Sequence, residues 1–283
     1  MTKILLTGKN GQLGQELQPL LTAMGDVISL GRDDLDLTNT DQISNCLQQY
    51  QPDLIINAAA YTAVDKAESE PKIAQAVNGT APKIMAKWAN EFGARLFHFS
   101  TDYVFDGTNN KPYREEDSPH PLGVYGESKL AGEEAIKANC QDYIIFRTAW
   151  VYGVYGKGNF VKTMLRLGKE REQLNVVSDQ MGSPTWTYNI AQASVELISK
   201  LPASPVQEIY HFTNSGVASW YDFAIAIFEE AKALQFPLTI NRVSPIPTTE
   251  YPTPAKRPPY SVLSGEKIAK ILSTPPPQWR VSL

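Results

Sequence analysis

The sequence predicts an α/β fold, in which a doubly wound parallel sheet is followed by a smaller C-terminal domain. Short apolar runs alternate with longer segments of helical periodicity along the first half of the chain. This alternation is typical of parallel strands joined by crossover helices. The chain has 283 residues, enough for one large domain with a smaller addition. We expect the sheet domain to occupy residues 1–150 and the smaller domain to be formed mainly by residues 151–283.

Composition and charge exclude several classes of partner. Charged residues are 20% and hydrophobic residues 42% of the chain, the balance of a globular protein. The net charge of −4 offers no basic surface that would attract nucleic acid or an anionic membrane. No apolar run approaches the roughly 18 residues of a membrane span, and Gly8 comes too early for a signal peptide. We therefore expect a cytoplasmic protein with neither nucleic acid nor membrane as a partner.

The cysteines and histidines show no metal-binding pattern. Cys46 and Cys140 stand far apart, and His98, His120 and His211 are scattered along the chain. We expect two free thiols and no metal ion.

The first strand runs into a glycine-rich turn. Residues 3–7 form a short strand with an apolar centre, and residues 8–14 then carry a glycine at every third position before a helical pattern through Leu17 and Leu21. In a Rossmann-like dinucleotide site such glycines allow a tight turn, close approach of a pyrophosphate, and packing of the helix on the strand. The spacing differs from the commonest Gly-x-Gly-x-x-Gly fingerprint, and a plain glycine turn is the alternative. The candidate cofactor contacts in this turn are Gly8, Asn10, Gly11, Gln12, Leu13 and Gly14.

The end of the second strand should meet the adenosine ribose of such a cofactor. An apolar run at residues 27–30 is followed by Gly31 and Arg32, and then by Asp36 and Leu37. An acid at this position binds the 2′-hydroxyl of NAD, whereas an arginine suits the 2′-phosphate of NADP. Arg32 lies nearest the strand end and favours NADPH, with NADH as the alternative. A solvated loop charge is the other interpretation of Arg32.

The third strand, within residues 53–62, ends in small side chains. Such residues let a ligand lie close to the backbone at the carboxyl edge of a parallel sheet. Asn78 lies in the next helical segment, about 72–92, and its amide can tie that helix to the strand end. The candidate contacts at this strand end are Ala58, Ala59, Ala60 and Tyr61.

The fourth strand and the helix after it carry residues suited to carbonyl chemistry. Residues 95–101 form a strand whose tip presents Ser100 and Thr101, and a polar loop separates them from Tyr125 and Lys129. A Tyr and a Lys four apart share one helix face, and a nearby ammonium favours the ionised phenol. Tyr125 could then pass a proton in reversible carbonyl–alcohol chemistry, with Thr101 holding the carbonyl oxygen. Taken alone, the same spacing also fits a surface helix.

These motifs, in this order, resemble the extended short-chain dehydrogenase/reductase family. They are the glycine turn, the alanine-rich strand end, Thr101 and the Tyr125–Lys129 pair. Within that family the sequence most resembles the dTDP-4-dehydrorhamnose reductases. The similar segments are residues 8–14, 62–68, 100–105 and 125–133. The likeness covers nearly the whole chain.

The resemblance implies a reaction and a set of contacts. It implies that the C4 keto group of dTDP-4-dehydro-L-rhamnose is reduced to dTDP-L-rhamnose by hydride transfer from NADPH or NADH. Tyr125 would donate a proton, Lys129 would lower the Tyr125 pKa and hold the nicotinamide ribose, and Ser100 would lie beside the cofactor. The implied substrate contacts are Thr101, Asp102, Val104, Phe105, Tyr125, Trp150, Asn159 and Arg257.

The same resemblance also leads to expectations about the later segments and the oligomeric state. It implies that some late segments return to the sheet, and that the protein is a monomer or a homodimer. Some members use a longer tail in a metal-linked dimer, whereas this chain ends soon after Trp279. Helices are expected at about 159–168, 187–200 and 219–234, the last two with Thr187 and Ser219 as candidate N-caps. The proline-rich segment within 240–262 looks like the family's substrate loop, in which the Arg257 guanidinium would pair with a pyrophosphate. A charge at the rim of the site is the alternative for Arg257.

Two other functions remain compatible with the motifs. A nucleotide-sugar epimerase or dehydratase uses the same Tyr and Lys, although Tyr103 stands where a dehydratase would carry a second acid. A cofactor-binding regulatory subunit, like the beta subunit of methionine adenosyltransferase, resembles this family without being a catalyst.

Overall fold

The computed structural model describes residues 1–283, and a six-stranded parallel sheet forms its centre. The strands of the chain are β1 (Lys3–Thr7), β2 (Asp26–Leu30), β3 (Leu54–Asn57), β4 (Arg95–Thr101), β5 (Tyr143–Thr148), β6 (Val151–Tyr152), β7 (Gln173–Val177), β8 (Met181–Gly182), β9 (Thr185–Trp186), β10 (Gln207–His211), β11 (Ala218–Ser219) and β12 (Arg242–Ile246).

Helices cover both faces of this sheet and build the rest of the molecule. They are α1 (Gln12–Leu21), α2 (Thr40–Tyr50), α3 (Val64–Ala67), α4 (Pro71–Gln75), α5 (Ala81–Phe92), α6 (Val124–Asn139), α7 (Phe160–Glu170), α8 (Thr187–Lys200), α9 (Trp220–Ala233), α10 (Glu266–Ala269) and α11 (Trp279–Ser282). None combines the length and the apolar composition that a membrane span requires.

The order of strands confirms the predicted fold class. The sheet reads β10-β5-β4-β3-β1-β2, with every neighbouring pair parallel. The chain leaves β1 for β2 on one side and later returns to β3 on the other. Such a reversal opens a crevice at the carboxyl ends of the strands, where doubly wound sheets bind ligands.

Two hydrophobic cores lie on opposite faces of the sheet. On one face Leu5 packs among side chains of α2, α5 and α6. On the other, Ile4 and Leu6 pack with Leu17 of α1 and Ile190 of α8. Adjacent residues of β1 are therefore buried on both faces, which explains why the first strand is continuously apolar.

Residues after 150 contribute to both parts of the molecule. A third core joins α7, β7, α9 and Trp279, while β10 pairs with β5 and α8 packs against α1. Placing a domain boundary at residue 150 stays a prediction.

Local details differ from the sequence prediction at two places. The helix expected at 72–92 is divided into α4 and α5 by a wider turn at Ala76–Thr80. The N-cap prediction is wrong for Thr187, because Trp186 precedes α8 without a side-chain cap and Thr187 is already helical. For α9 it is confirmed, since Ser219 and Asp222 form a reciprocal capping box.

A buried ion pair fastens α6 to the centre of the sheet. Arg147 of β5 donates to both carboxylate oxygens of Glu133, at 2.6 and 2.9 Å, and neither side chain is more than 1% exposed. Ser100 donates to the same carboxylate at 2.5 Å. The pair therefore sets the position of the helix that begins with Tyr125 relative to the tip of β4.

Replacing Glu133 by glutamine should lower the free energy of unfolding by about 3–5 kcal/mol, because Arg147 would remain as an uncompensated buried charge. Urea unfolding followed by circular dichroism measures the change. The neighbouring Glu134→Gln variant loses only an exposed pair with Lys137 and should stay within about 0.5 kcal/mol of the wild type. Equal effects of the two substitutions would contradict the assigned role of the buried pair.

Candidate active site

One long cavity of about 840 Å³ follows the carboxyl ends of the parallel strands. Its volume lies in the range of small-molecule sites. The cavity brings together most of the residues proposed from the sequence, which are Gly8, Asn10, Gly11, Gln12, Leu13, Gly31, Arg32, Asp36, Leu37, Ala58, Ala59, Ala60, Tyr61, Ser100, Thr101, Asp102, Tyr125, Lys129, Trp150 and Asn159.

The glycine turn forms one wall of the cavity, and its glycines allow the neighbouring backbone to come close. Gly8 has a φ of +79°, and its N–H donates to the carbonyl of Leu30 at 2.9 Å. A Cβ atom on Gly8 would lie 2.8 Å from the backbone N of Ala59, and one on Gly14 would lie 2.1 Å from the Gly8 carbonyl oxygen. Gly14 thus packs α1 onto the turn without lining the cavity itself.

Acidic and basic side chains lie together at the β2 end of the cavity. Asp34 pairs with Lys9 at 2.6 Å, and Asp36 accepts from the backbone and hydroxyl of Thr38. Arg32 lines the cavity without a salt bridge to any side chain. Its guanidinium is therefore available to an anionic ligand group.

The β3 end of the cavity is shaped by small residues and by Asn78. Ala58, Ala59 and Ala60 line it. The buried Asn78 side chain accepts from the N–H of Tyr61 at 2.8 Å and donates to the Tyr61 carbonyl at 3.1 Å. Asn78 therefore ties its helix to the strand end without itself lining the cavity.

Tyr125 lies in the first turn of α6 and faces the tip of β4. Its ring lies edge-on to that of Tyr103, with centroids 5.5 Å apart, and both rings line the cavity with Thr101. The Thr101 hydroxyl donates to Asp102 at 3.0 Å and accepts from the Tyr103 N–H at 3.2 Å. A hydroxyl proton can rotate, so Thr101 must turn its proton away from Asp102 to donate to a carbonyl.

Burial dominates the acidity of this group of residues. It raises the pKa of Tyr125 to about 12, against the opposing effect of a hydrogen bond with Thr101. It also raises the pKa of Asp102 to about 6. The expectation that Lys129 lowers the Tyr125 pKa is not met in this arrangement, because the Lys129 ammonium is directed at β4.

Lys129 is buried at the floor of the cavity. Its Nζ donates to the carbonyl of Phe99 at 2.6 Å and lies 3.2 Å from Nε2 of His98. Desolvation lowers the pKa of Lys129 to about 8, and the negative charge of Glu133 opposes that shift. Lys129 can therefore gain or lose a proton near neutral pH.

The far end of the cavity is formed by residues after β5. Trp150 has a φ of +48° and stacks on Trp220 with ring centroids 3.5 Å apart. Asn159 donates to the side chain of Gln12 at 2.7 Å, which joins the glycine turn to the start of α7. One face of the site is thus built by the second half of the chain.

Three proposed substrate contacts lie away from this cavity. Val104 and Phe105 are buried in a small core beside Tyr113, because the chain turns inward after Thr101. Arg257 forms a bidentate ion pair with Asp65, at 2.7 and 3.0 Å. The structure does not bring these side chains to the cavity.

Sequence reasoning missed several lining residues that the fold brings in. Lys66 follows the Thr62–Val64 segment and pairs with Glu70 at 2.8 Å. Lys157 lies between two glycines, and that Gly-Lys-Gly pattern was the one signal that could have identified it. No three His, Cys, Asp or Glu side chains gather into a metal-binding group, and Cys46 and Cys140 are free, as expected.

Comparison with known sequences agrees with this geometry. The family described as RmlD substrate binding domain matches residues 1–283. The dTDP-4-dehydrorhamnose reductase of Escherichia coli K12 is 46% identical over 99% of this chain and 95% of its own length. That of Burkholderia thailandensis is 43% identical over 99% and 96%.

Solved structures give the same result. The dTDP-4-dehydrorhamnose reductase of Bacillus anthracis in complex with NADP is 39% identical, covers 99% of this chain and 96% of its own, and has a TM-score of 0.90. The UDP-glucose 4-epimerase of Thermus thermophilus shares the fold alone, at 18% identity and a TM-score of 0.78. The chain therefore belongs to the RmlD substrate binding domain family.

Proposed function

We propose that this protein reduces the C4 keto group of dTDP-4-dehydro-L-rhamnose to dTDP-L-rhamnose, with NADPH as the hydride donor. One observation carries the proposal: the glycine turn and the set Tyr125, Lys129 and Thr101 line a single cavity. The relatives named dTDP-4-dehydrorhamnose reductase support the same reaction. A cytoplasmic location and a monomeric or homodimeric state complete the proposal.

The residues of the cavity fit a dinucleotide phosphate. The turn leaves no room for side chains at Gly8 and Gly14, and α1 starts directly behind it, so its N-terminus would stabilise a pyrophosphate bound at the turn. Arg32, free of ion pairs, would hold the 2′-phosphate. Ala58, Ala59 and Tyr61 would line the adenine and ribose path.

The mechanism assigns one task to each polar group beside the reacting carbonyl. Tyr125 is protonated at neutral pH, since its pKa is about 12, and it donates that proton to the C4 oxygen as negative charge develops. Thr101 orients the same oxygen through its hydroxyl. Lys129 would hold the nicotinamide ribose and would contribute a positive charge beside the developing alkoxide.

The substrate would occupy the cavity between Thr101 and α7. Trp150 offers an indole face and an N–H donor at that end, and Asp102 and Asn159 line the same region. Val104, Phe105 and Arg257 can contribute only through the position of their loops, unless the Arg257–Asp65 pair opens.

A single assay separates this function from its alternatives. Purified protein with dTDP-4-dehydro-L-rhamnose and NADPH should consume one equivalent of NADPH per sugar reduced. Product without net NADPH oxidation would indicate an epimerase. NADPH binding without any oxidation would indicate a regulatory subunit.

Tyr125→Phe should lower the turnover number by about 10²- to 10⁴-fold, since the proton donor is lost. The affinity for NADPH, measured by fluorescence titration, should change little. Tyr143→Phe is a matched control, because Tyr143 is buried at the amino end of β5, away from the cavity. Wild-type turnover in the Tyr125 variant would contradict the mechanism.

Arg32→Ala should weaken NADPH binding more than NADH binding, because only NADPH carries the 2′-phosphate. Dissociation constants for both cofactors measure the difference. Arg242→Ala, which removes an exposed arginine on β12, should affect neither cofactor. Equal losses for NADPH and NADH would remove Arg32 from the phosphate site.

The rate of reduction should fall as the pH rises above about 8, because Lys129 then loses its proton. Tyr125, with a pKa near 12, keeps its proton through this range and cannot cause the decrease. Single-turnover rates between pH 6 and about 10 test the assignment. A rate that stays constant to about pH 9.5 would show that the charge of Lys129 is not needed.

A further inference from the structure

One buried histidine, His98, contacts the catalytic Lys129 but has no role in the proposed mechanism. His98 lies in the middle of β4 and is fully buried. Its Nε2 is 3.2 Å from Nζ of Lys129, and its Nδ1 is 3.0 Å from Nδ2 of the Asn57 amide. The Oδ1 atom of Asn57 accepts from the Thr7 hydroxyl at 2.7 Å. A continuous buried row therefore connects Lys129 to the strand that leads into the glycine turn.

The charge states of this row are linked by the chemistry of imidazole. Burial and the charge of Lys129 hold the pKa of His98 well below its usual value, so the ring is neutral and has one N–H and one lone pair. An ammonium has donors only, so Lys129 requires the lone pair on Nε2. Nδ1 must then carry the proton and donate it to Asn57.

This requirement also determines the orientation of the Asn57 amide. An Nδ1–H group needs an acceptor, so the Asn57 amide must turn over from the orientation above, with Oδ1 facing His98 and Nδ2 donating to the Thr7 hydroxyl. With Nδ2 facing His98 instead, both ring nitrogens would have to accept, which a neutral imidazole cannot do. That orientation is compatible only with an uncharged Lys129 that accepts from Nε2–H.

We propose that His98 is the positioning residue for Lys129: its Nε2 lone pair, fixed by Asn57, holds the Lys129 ammonium at the floor of the cavity. The contacts of the buried row are observed, and the reversed orientation of the Asn57 amide is part of the proposal. Its catalytic consequence rests on the proposed reductase function. His98 does not touch the reacting carbonyl and acts only through Lys129.

The other charges around Lys129 do not replace this contact. On its own helix, Tyr125 is neutral, and the carboxylate of Glu133 is already engaged by Arg147 of β5. On β4 the remaining polar partner of Lys129 is the Phe99 carbonyl, and Asp102 at the strand end hydrogen-bonds Thr101. His98 is therefore the side chain that accepts directly from the ammonium.

Nitrogen NMR of the wild-type protein tests the arrangement without reference to activity. The chain has three histidines, so ¹⁵N-histidine labelling gives few ring signals, and the His98→Gln variant assigns those of His98. At pH 7 we expect the neutral tautomer with a proton on Nδ1 and a bare Nε2. A neutral ring protonated on Nε2 would overturn the proposal.

Two polar substitutions test the catalytic consequence. Glutamine at position 98 can place its oxygen near the site of Nε2, whereas asparagine reaches only the site of Nδ1. His98→Gln should keep turnover close to that of the wild type. His98→Asn should lower it by about 10- to 100-fold, the effect of losing a hydrogen bond to a charged group, and should move the alkaline decrease in rate to lower pH.

The control for burial is His211→Gln. His211 is equally buried, on β10 of the same sheet, and contacts Arg147 instead of Lys129. Its substitution should leave turnover and its pH dependence unchanged. Wild-type turnover and pH dependence in His98→Asn would overturn the catalytic role of His98. Failure of the proposed reductase function would instead appear as wild-type protein that does not oxidise NADPH with the keto sugar, with the His98 tautomer unaffected.

Discussion

The site depends on the close approach of the glycine turn to the end of β3. At Gly8 the backbone has a positive φ, and a side chain there would collide with Ala58 and Ala59. The contact lets β1 end beside β3 with only backbone between Gly8 and the end of β3. The cavity residues at the tips of β3, β4 and β5 are positioned relative to this contact, because the parallel register places those tips at the same edge.

Buried charge is the second organising feature. The Glu133–Arg147 pair and the ammonium of Lys129 lie on neighbouring parts of α6 and the sheet. Each is costly to desolvate and is retained with nearly complete hydrogen bonding. These interactions hold α6 in a fixed position, so that Tyr125 faces the tip of β4. The buried ion pair fixes the position of α6, and desolvation lowers the pKa of Lys129 to about 8.

Some features of this protein follow from adjacent residues, whereas others depend on packing between distant segments. The glycine turn, the strand ends and the Tyr125–Lys129 helix were predictable, because turn geometry and apolar periodicity are properties of a few adjacent residues. The Ser219 cap was predictable for the same reason. The cap predicted at Thr187 was wrong, and Val104 and Phe105 lie outside the cavity, because the surroundings of all three come from distant segments. The pairing of Arg257 with Asp65 could not be anticipated, since the two are far apart in sequence.

The sequence by itself determined the fold class, the order of the motifs and the residues suited to carbonyl reduction. The tertiary structure decided which of these residues share a cavity, which way Lys129 points, and that burial raises the pKa of Tyr125. It also brought His98 and Asn57 into line with Lys129. Local patterns follow from neighbouring residues, whereas desolvation and hydrogen-bond direction depend on groups that only folding brings together.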